Sequence, residues 1–149
     1  MIAIERATEQ DLVDVVGLFE KYRAFYGRDA APEAAQHFIA ERLESGDSTI
    51  FLARDGAEGR RAVGLMQLYP LFSSTALKRL WLLNDLYVEQ SHRRQGVGRL
   101  LIAAAGELCR ETGARGFFLE TDASNTKAQA LYESIGMTRV PSYFYALDL

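Results

Sequence analysis

A glycine-rich turn between a strand-like run and a helix-like run is the feature that most constrains the fold of this chain. The turn reads Arg-Arg-Gln-Gly-Val-Gly over residues 93–98, after the apolar run 82–88 and at the start of the amphipathic run 97–112. N–H groups in the first turn of a helix have no partner inside the helix, and the helix dipole favours negative charge there. Because glycine lets a bound group approach the main chain closely, the pattern predicts an anion site suited to a phosphate-bearing ligand.

Two other established phosphate-binding motifs fit the turn poorly. A dinucleotide-binding fold requires G-x-G-x-x-G near the start of a βαβ unit, but Leu101 stands where the third glycine belongs and the turn comes late in the chain. A P-loop requires G-x-x-x-x-G-K-[ST], which the sequence lacks. The turn therefore indicates a phosphate-bearing ligand of another kind.

Strand-like and helix-like hydrophobic patterns predict an alternating series of elements along the chain. The strands are expected at residues 2–6, 48–54, 62–69, 77–88, 116–121 and 142–149, with Pro70 closing the third. The helices are expected to begin at the capping box Thr8–Asp11 and at Pro32, Val97 and Asn125, and to end at Gly27, Gly46, Gly113 and Gly136. This order predicts a mixed sheet flanked by helices, in the α+β or α/β range.

The length and charge of the chain favour one globular domain without a nucleic-acid or membrane partner. A chain of 149 residues suits a single domain, residues 1–149. Its net charge of −3 and its lack of a basic stripe argue against a nucleic-acid partner. No apolar run approaches the roughly 20 residues that span a bilayer, and the first residues lack a signal-peptide pattern.

Few residues are available for disulfide or metal chemistry. The single cysteine, Cys109, excludes an internal disulfide and suits a reducing compartment, so we expect a cytoplasmic protein. Cys109 falls within a predicted helix, where a core role is expected. His37 and His92 lack metal-ligand spacing, so we expect surface or capping roles for them and no metal site.

Two patterns together resemble the GNAT superfamily of N-acetyltransferases. The first, R-x-x-G-x-G over residues 93–98 after a strand ending in Leu-Tyr-Val, resembles that family's coenzyme A signature. The second, N-x-x-A-x-x-L-Y-x-x-x-G-M over residues 125–137, resembles its second signature and follows in the same order. The resemblance extends over residues 80–140. Residues 83–88 and 120–125 look most like the histone and polyamine branch, which includes the spermidine/spermine acetyltransferases.

The resemblance implies a fold, a reaction and an assembly. The fold would be the acyl-CoA N-acyltransferase fold, α+β with α/β/α layers and a mixed, mostly antiparallel central sheet. The reaction would move the acetyl group of acetyl-CoA to a primary amine of a small molecule, polyamine-like or amino-acid-like, by direct attack. Two alternatives stay open: acetylation of lysines or N-termini in proteins, and an acyl-CoA-binding protein without catalysis. The resemblance also implies that the protein forms a homodimer.

The resemblance places the coenzyme along the main chain of three segments. The turn would hold the diphosphate through backbone N–H groups, with help from the guanidinium groups of Arg93, Arg94 and Arg99. The strand before it would pair with the pantetheine arm like an added strand. Asn125 would touch this arm, would cap the last helix, or would do both. The implied cofactor-binding residues are Leu86, Tyr87, Val88, Arg93, Arg94, Gln95, Gly96, Val97, Gly98, Arg99, Asn125, Ala128 and Tyr132.

Tyr132, Asp85 and Asn84 are the candidate catalytic residues. A phenol with a pKa of about 10 can protonate a leaving thiolate whose parent pKa is about 8.5, so Tyr132 is the expected general acid, with a core role as the alternative. The polyamine branch often has a glutamate where this chain has Asn84, and an amide cannot act as a base. Asp85 would act as the base directly, act through a water, or only anchor the strand. Glu120 and Asp122 are further candidates.

The acceptor amine is expected near the end of the first helix. An aromatic cluster with an acid can hold an ammonium group through cation–π and charge interactions. An amphipathic helix that packs its aromatic side chains in the core is the alternative. The candidate substrate-binding residues are Glu20, Tyr22, Arg23 and Tyr26. The aromatic segment 142–149 suits either a core contact or a dimer contact.

Overall fold

The computed structural model describes residues 1–149 and contains one open sheet of five strands between two layers of helices. The strands are β1 (Ile2–Arg6), β2 (Thr49–Asp55), β3 (Arg61–Ser73), β4 (Lys78–Val88) and β5 (Phe117–Phe118). The helices are α1 (Leu12–Phe25), α2 (Pro32–Ser45), α3 (Val97–Thr112) and α4 (Thr126–Ile135), and none combines the length and apolar character needed to cross a bilayer. The strands lie in sequence order, antiparallel from β1 to β4, with β5 parallel to β4. The mixed, mostly antiparallel α+β arrangement predicted from the sequence is confirmed.

Alternate residues of the central strands face opposite helix layers. On β2, Ile50 and Leu52 pack with buried residues of α1 and α2, whereas Phe51 and Ala53 pack with buried residues of α3. Side chains along a strand point alternately to its two faces, so a continuous apolar run requires cover on both sides. Each large aliphatic side chain that is fully buried in this way contributes about 1.5–3 kcal/mol.

The helix boundaries follow the predicted start and stop residues. Thr8 and Asp11 form the predicted capping box, in which the Thr8 N–H donates to Asp11 Oδ2 at 2.8 Å. The box opens a short 3-10 turn at Glu9–Asp11, so α1 itself begins at Leu12. Left-handed backbone follows α2, α3 and α4 at Gly46, Gly113 and Gly136.

Strand β3 continues through Pro70, where the sequence predicts that it stops. Pairing between β2 and β3 ends at Leu68, whereas β3 and β4 stay paired as far as Ser73. Pro70 therefore lies where β3 has a neighbour on one side only. A residue without an N–H is tolerated in a sheet at such a place.

The strands predicted at 116–121 and 142–149 are the main departures. β5 covers only Phe117–Phe118, and residues 142–149 form no strand. Tyr143 and Tyr145 in the C-terminal segment are 89% and 96% exposed. β5 has only two residues, which is too short for residues 142–149 to pair with as a further strand. This segment therefore finds no strand partner within the chain, in spite of its aromatic, strand-favouring composition.

Cys109 lies in the core between α3 and the sheet. Burial raises the pKa of its thiol above the ordinary value, which disfavours the reactive thiolate. The predicted core role of Cys109 is confirmed.

Candidate active site

The two strands at the parallel edge of the sheet separate and leave a cavity between them. β4 and β5 pair only at Trp81–Phe117 and Leu82–Phe118, after which β5 ends and β4 continues to Val88. The cavity has a volume of about 630 Å³, and its walls come from the end of α1, β4, β5 with the segment after it, α4, and Phe144 of the C-terminal segment. Seven of the predicted site residues line it: Tyr22, Tyr26, Asn84, Leu86, Glu120, Asp122 and Tyr132.

A β-bulge at Asn84 changes the direction of the β4 main chain beside the cavity. Asp85 lies opposite Gln67 and Leu83 lies opposite Leu68, so Asn84 is an extra residue without a partner on β3. One extra residue reverses which main-chain groups face the neighbouring strands. The bulge therefore decides which N–H groups of β4 face the cavity side of the sheet.

Beyond the bulge, no strand pairs with the edge of β4 on the cavity side. The Glu89 N–H donates to the Val63 carbonyl on β3 at 2.8 Å. The C=O and N–H of one trans peptide point in opposite directions, so the Val88 carbonyl faces away from β3. Alternation along the strand gives the main-chain groups of Leu86 the same direction. Residues 86–88 thus present a strand edge to which an extended ligand can add.

The turn after β4 presents a row of N–H groups without partners. Arg94 and Gly96 both adopt left-handed backbone, with φ of 63° and 83°. No N–H from Arg94 to Arg99 donates a well-formed hydrogen bond within the protein, and the first such bond of α3 is from Leu100 to the Gly96 carbonyl at 3.0 Å. A helix N-terminus with this many free donors is suited to an anion.

The three arginines of the turn differ in their contacts. Arg93 Nε donates to the Val88 carbonyl at 2.9 Å, and Arg99 Nη2 donates to Ser134 Oγ at 2.8 Å. The Arg94 side chain is exposed and forms no hydrogen bond or ion pair within the protein. Of the three guanidinium groups predicted to contact phosphate, only that of Arg94 forms no hydrogen bond within the protein, whereas Arg93 and Arg99 each use one of their five N–H donors.

Helix α4 directs Tyr132 into the cavity. Its N-cap is Asn125, whose Oδ1 accepts the Ala128 N–H at 3.2 Å, so the capping role predicted as one alternative is confirmed. Tyr132 lines the cavity, and its hydroxyl forms no hydrogen bond within the protein. Burial raises the pKa of Tyr132, as does the nearby Tyr26, so the phenol keeps its proton at neutral pH.

Asp85 lies at the centre of a buried hydrogen-bond network behind Asn84. Asp85 is 5% exposed; its Oδ2 accepts from Gln67 Nε2 at 2.7 Å and its Oδ1 accepts from Asn84 Nδ2 at 3.0 Å. Ser48 Oγ donates to Gln67 Oε1 at 2.8 Å, which turns the Gln67 amide so that its N–H group faces Asp85. Burial raises the pKa of Asp85, and the hydrogen bonds from Gln67 and Asn84 lower it by less. No Lys, Arg or His forms an ion pair with this carboxylate.

This network connects Asp85 to the cavity without exposing it there. Asn84 lines the cavity and Asp85 does not. The Tyr22 hydroxyl donates to the Asn84 carbonyl at 3.3 Å, and burial together with the charge of Asp85 raises the pKa of Tyr22. The arrangement favours anchoring of the strand or action through a water over direct contact of Asp85 with an acceptor.

The raised pKa of Asp85 predicts a pH-dependent stability difference between the wild type and Asp85→Asn. A carboxyl group with a folded pKa above its ordinary 3.8 stabilises the fold below that value, and this contribution is lost as pH rises through the folded pKa. We expect the free energy of unfolding of the wild type to fall relative to the variant as pH rises above 3.8. A tenfold difference in proton affinity between the folded and unfolded carboxyl group would make this fall about 1.4 kcal/mol. Urea unfolding of both proteins across acidic and neutral pH measures this, and parallel profiles would contradict it.

Two predicted substrate-binding residues, Glu20 and Arg23, lie outside the cavity wall. Arg23 Nη1 contacts Glu20 Oε1 at 3.0 Å and donates to the Asp29 carbonyl at 3.1 Å. Glu20 Oε2 accepts the Ala31 N–H at 3.2 Å. Both side chains hold the connection between α1 and α2, whereas Tyr22 and Tyr26 reach the cavity.

Several residues of the site were not predicted from the sequence. Gln67 and Ser48, which orient Asp85, are among them, although a glutamine within an apolar strand is a signal that could have been used. A Cβ at Gly64 would lie 3.2 Å from side-chain carbons of both Val97 and Leu101, so this glycine allows the first turn of α3 to approach β3. The remaining unpredicted cavity residues are Leu82, Leu83, Phe118, Leu119 and Thr121.

His92 is buried, so the surface role predicted for it is wrong. Its Nε2 lies 3.0 Å from Asp55 Oδ2 and 3.8 Å from Glu58 Oε1, and its Nδ1 lies 2.7 Å from Ser91 Oγ. The hydrogen bond from His92 lowers the pKa of Asp55. The Glu58 carboxylate also forms an ion pair with Arg61 at 3.1 Å. The cluster connects the start of the glycine-rich turn to the β2–β3 connection.

Comparison with known proteins shows the family of this chain. Residues 15–137 match the Acetyltransferase (GNAT) family. The chain belongs to this family. The family-level resemblance seen in the two sequence patterns is confirmed, and this GNAT protein is an acetyl-CoA-dependent N-acetyltransferase.

Three relatives illustrate how far the similarity extends. The uncharacterised N-acetyltransferase YhfO of Bacillus subtilis is 38% identical over 133 residues, which cover 89% of this chain and 87% of YhfO. A crystal structure of a probable acetyltransferase has a TM-score of 0.93 at 41% identity, with 99% of this chain and 97% of that chain covered. The D-amino-acid N-acetyltransferase HPA3 of Saccharomyces cerevisiae is 30% identical over 122 residues, which cover 79% of this chain and 73% of HPA3.

Proposed function

We propose that residues 1–149 form a single-domain cytoplasmic enzyme that acetylates a primary amine of a small molecule by direct attack. The observation that carries this proposal is that an unpaired strand edge, a turn with free N–H groups and one cavity adjoin one another. Direct attack requires the thioester and the amine to be held together in one site. The buried Cys109, with its raised thiol pKa, is a poor candidate for a covalent relay.

The free edge and the turn fit the two ends of coenzyme A. The N–H groups of residues 94–99 would hold the diphosphate, with the Arg94 side chain as an added cation. The edge at residues 86–88 would pair with the pantetheine arm. Ala128 fits less well, because Asn125 already accepts its N–H. When bound, acetyl-CoA supplies the acetyl thioester.

Two protons must move during the transfer, and different groups are assigned to them. Tyr132 is assigned as the donor to the sulfur, because it lines the cavity and burial keeps its hydroxyl protonated. An alkylammonium with a pKa of about 10.4 must lose a proton before it attacks. Glu120 and Asp122 line the cavity and are suited to take this proton, whereas Asp85 would act through a water.

The charges of the cavity favour an acceptor with a second positive group, like a polyamine. The cavity is lined by the carboxylates of Glu120 and Asp122 and by no Lys, Arg or His. Hydrogen bonds from the Ser124 side chain and main chain lower the pKa of Asp122, so this carboxylate is charged at neutral pH. The tyrosines of α1 add aromatic faces that attract cations. The name of HPA3 states a D-amino acid, but no basic side chain of this cavity is placed to hold an amino-acid carboxylate.

Release of free thiol from acetyl-CoA with matched amines tests the proposed function. We expect kcat/KM for 1,4-diaminobutane to exceed that for 1-aminobutane about tenfold, which corresponds to about 1.4 kcal/mol for the second charge. Glu120→Gln should reduce this preference, whereas Glu133→Gln, on the exposed face of α4, is the matched control. Turnover only with D-alanine or with peptides would contradict the acceptor class. No turnover with any amine would favour the acyl-CoA-binding alternative.

We also propose a homodimer formed through the C-terminal segment. Phe144 is 71% exposed and Leu147 is 85% exposed, although both are apolar. The outer edge of β5 has no neighbouring strand, so a second copy can cover both features. Light scattering at micromolar concentration should give the mass of two chains, and a mass of one chain would contradict the proposal.

A further inference from the structure

Arg93 occupies the junction between the end of β4, the glycine-rich turn and the end of α1. Its guanidinium carbon lies 5.3 Å from the Phe25 ring centroid and 5.6 Å from the Tyr87 ring centroid. Its Nε donates to the Val88 carbonyl at 2.9 Å. We call Phe25, Tyr87, Val88 and Arg93 the Arg93 cluster. Two aromatic rings and a main-chain carbonyl together fix the plane and position of this guanidinium.

We propose that Arg93 is a positioning residue that connects the acceptor side of the site to the coenzyme-binding turn, and that it is not a phosphate ligand. This inference rests on the proposed function, because it assigns the turn to coenzyme A. Its physical basis is that the Nε hydrogen bond to Val88 and the two ring contacts direct the Arg93 guanidinium to the junction of β4 and α1. The adjacent Arg94 has left-handed backbone and a free side chain, and it is the arginine suited to contact a phosphate.

The Val88 carbonyl explains why a donor is needed at this place. This carbonyl faces away from β3, at the end of the free edge assigned to the pantetheine arm. The hydrogen bond from Arg93 closes the edge there, so an added strand would stop at Val88 and the chain of the ligand would pass to the N–H groups of the turn. Arg93 thereby fixes the boundary between the two parts of the coenzyme site.

Helix α1 joins the same junction through two further contacts. Lys21 forms an ion pair with Glu89, and the Tyr22 hydroxyl donates to the Asn84 carbonyl at 3.3 Å. Lys21 and Phe25 are four residues apart and lie on the same face of α1. The last two turns of α1 thus contact β4 and the segment after it in three places. These turns also carry Tyr22 and Tyr26, which form the acceptor side of the cavity.

An arginine fits this role better than a lysine. The guanidinium is planar and can stack on aromatic rings while its Nε–H donates in the same plane. A lysine would keep the positive charge but would lose the stacking and the fixed donor. Lysine can still attract a phosphate as a point charge. Arg93→Lys therefore separates the two roles.

Coenzyme A affinity by titration calorimetry and amine KM by thiol release test this inference. We expect Arg93→Lys and Arg93→Ala both to weaken coenzyme A binding about tenfold, equal to about 1.4 kcal/mol, and to raise the KM of the amine. Arg94→Ala should weaken coenzyme A binding and leave the amine KM unchanged. Phe25→Ala should add nothing once Arg93 is Ala, because the two share one interaction. Arg110→Lys, on exposed α3 surface, is the matched control.

The outcomes distinguish this inference from the proposed function. Arg93→Lys could keep the wild-type coenzyme A affinity and amine KM while Arg93→Ala binds coenzyme A weakly. This result would show that residue 93 acts as a phosphate ligand, and it would overturn the inference. Additive effects of Phe25→Ala and Arg93→Ala would also overturn it. Thermal unfolding of each variant controls for loss of the fold. Phe25 is exposed and lies outside the glycine-rich turn, so Phe25→Ala leaves the residues of the turn unchanged. Absence of coenzyme A binding in the wild type would overturn the proposed function as well.

Discussion

Replacement of Gly96 by Glu is expected to abolish measurable coenzyme A binding and to leave the fold intact. Gly96 has φ of 83°, and a Cβ built there would meet nothing within 4 Å, so a side chain fits into open space. The left-handed backbone costs a non-glycine residue about 1–2 kcal/mol, which a folded domain of this size can bear. The added carboxylate would lie among the free N–H groups of the turn. It would compete for those donors and repel the diphosphate.

Titration calorimetry with coenzyme A measures the loss, and thermal unfolding followed by circular dichroism confirms the fold. Gly96→Ala is the matched control, since it introduces the same backbone strain without charge. We expect Gly96→Ala to bind coenzyme A more weakly than the wild type and more tightly than Gly96→Glu. Wild-type affinity in Gly96→Glu would mean that the turn does not hold the diphosphate.

Tyr132→Phe is expected to lower kcat by about 10²–10⁴, the usual range for loss of an acid–base group. Burial raises the pKa of the Tyr132 phenol, so the hydroxyl carries its proton at neutral pH and can donate it to the leaving sulfur. The hydroxyl has no partner within the protein, so its removal leaves no buried group unsatisfied. Coenzyme A affinity and thermal stability should therefore change little.

Steady-state kinetics at saturating acetyl-CoA and amine measure this change in kcat. Tyr26→Phe is the matched control, because Tyr26 lines the same cavity from α1 and is assigned to acceptor binding. We expect Tyr26→Phe to alter mainly the KM of the amine. A wild-type kcat in Tyr132→Phe would remove Tyr132 from the reaction.

Features fixed by local backbone chemistry were predicted correctly from the sequence. The capping box at Thr8, the start of α2 at Pro32 and the left-handed glycines after three helices each depend on a few adjacent residues. The glycine-rich turn belongs to the same class, because free N–H groups at a helix start follow from local geometry. The order of strand-like and helix-like runs was also sufficient to predict a mixed sheet flanked by helices.

Features that depend on distant partners were not predictable. The passage of β3 through Pro70 depends on where β2 stops pairing. The bulge at Asn84 is visible only from the register between β3 and β4. Glu20 and Arg23 have the composition of a binding cluster, but their partners in the α1–α2 connection take them away from the cavity.

The same limit applies to the arginines of the turn. Three basic residues beside a predicted phosphate site all suit charge-assisted contacts in the sequence. In the fold, the Arg93 side chain donates to the Val88 carbonyl and contacts two aromatic rings, and the Arg99 side chain donates to Ser134 Oγ. The contacts from Phe25 of α1 and Ser134 of α4 come from elements that are distant from the turn in sequence.

A crystal structure of the protein with bound coenzyme A tests the central claim most directly. We expect the diphosphate within hydrogen-bond distance of N–H groups between Arg94 and Arg99, and the pantetheine arm along residues 86–88. We also expect the sulfur in the cavity beside Tyr132. A diphosphate held away from the turn, or an arm that leaves the β4 edge unpaired, would contradict the proposed coenzyme site.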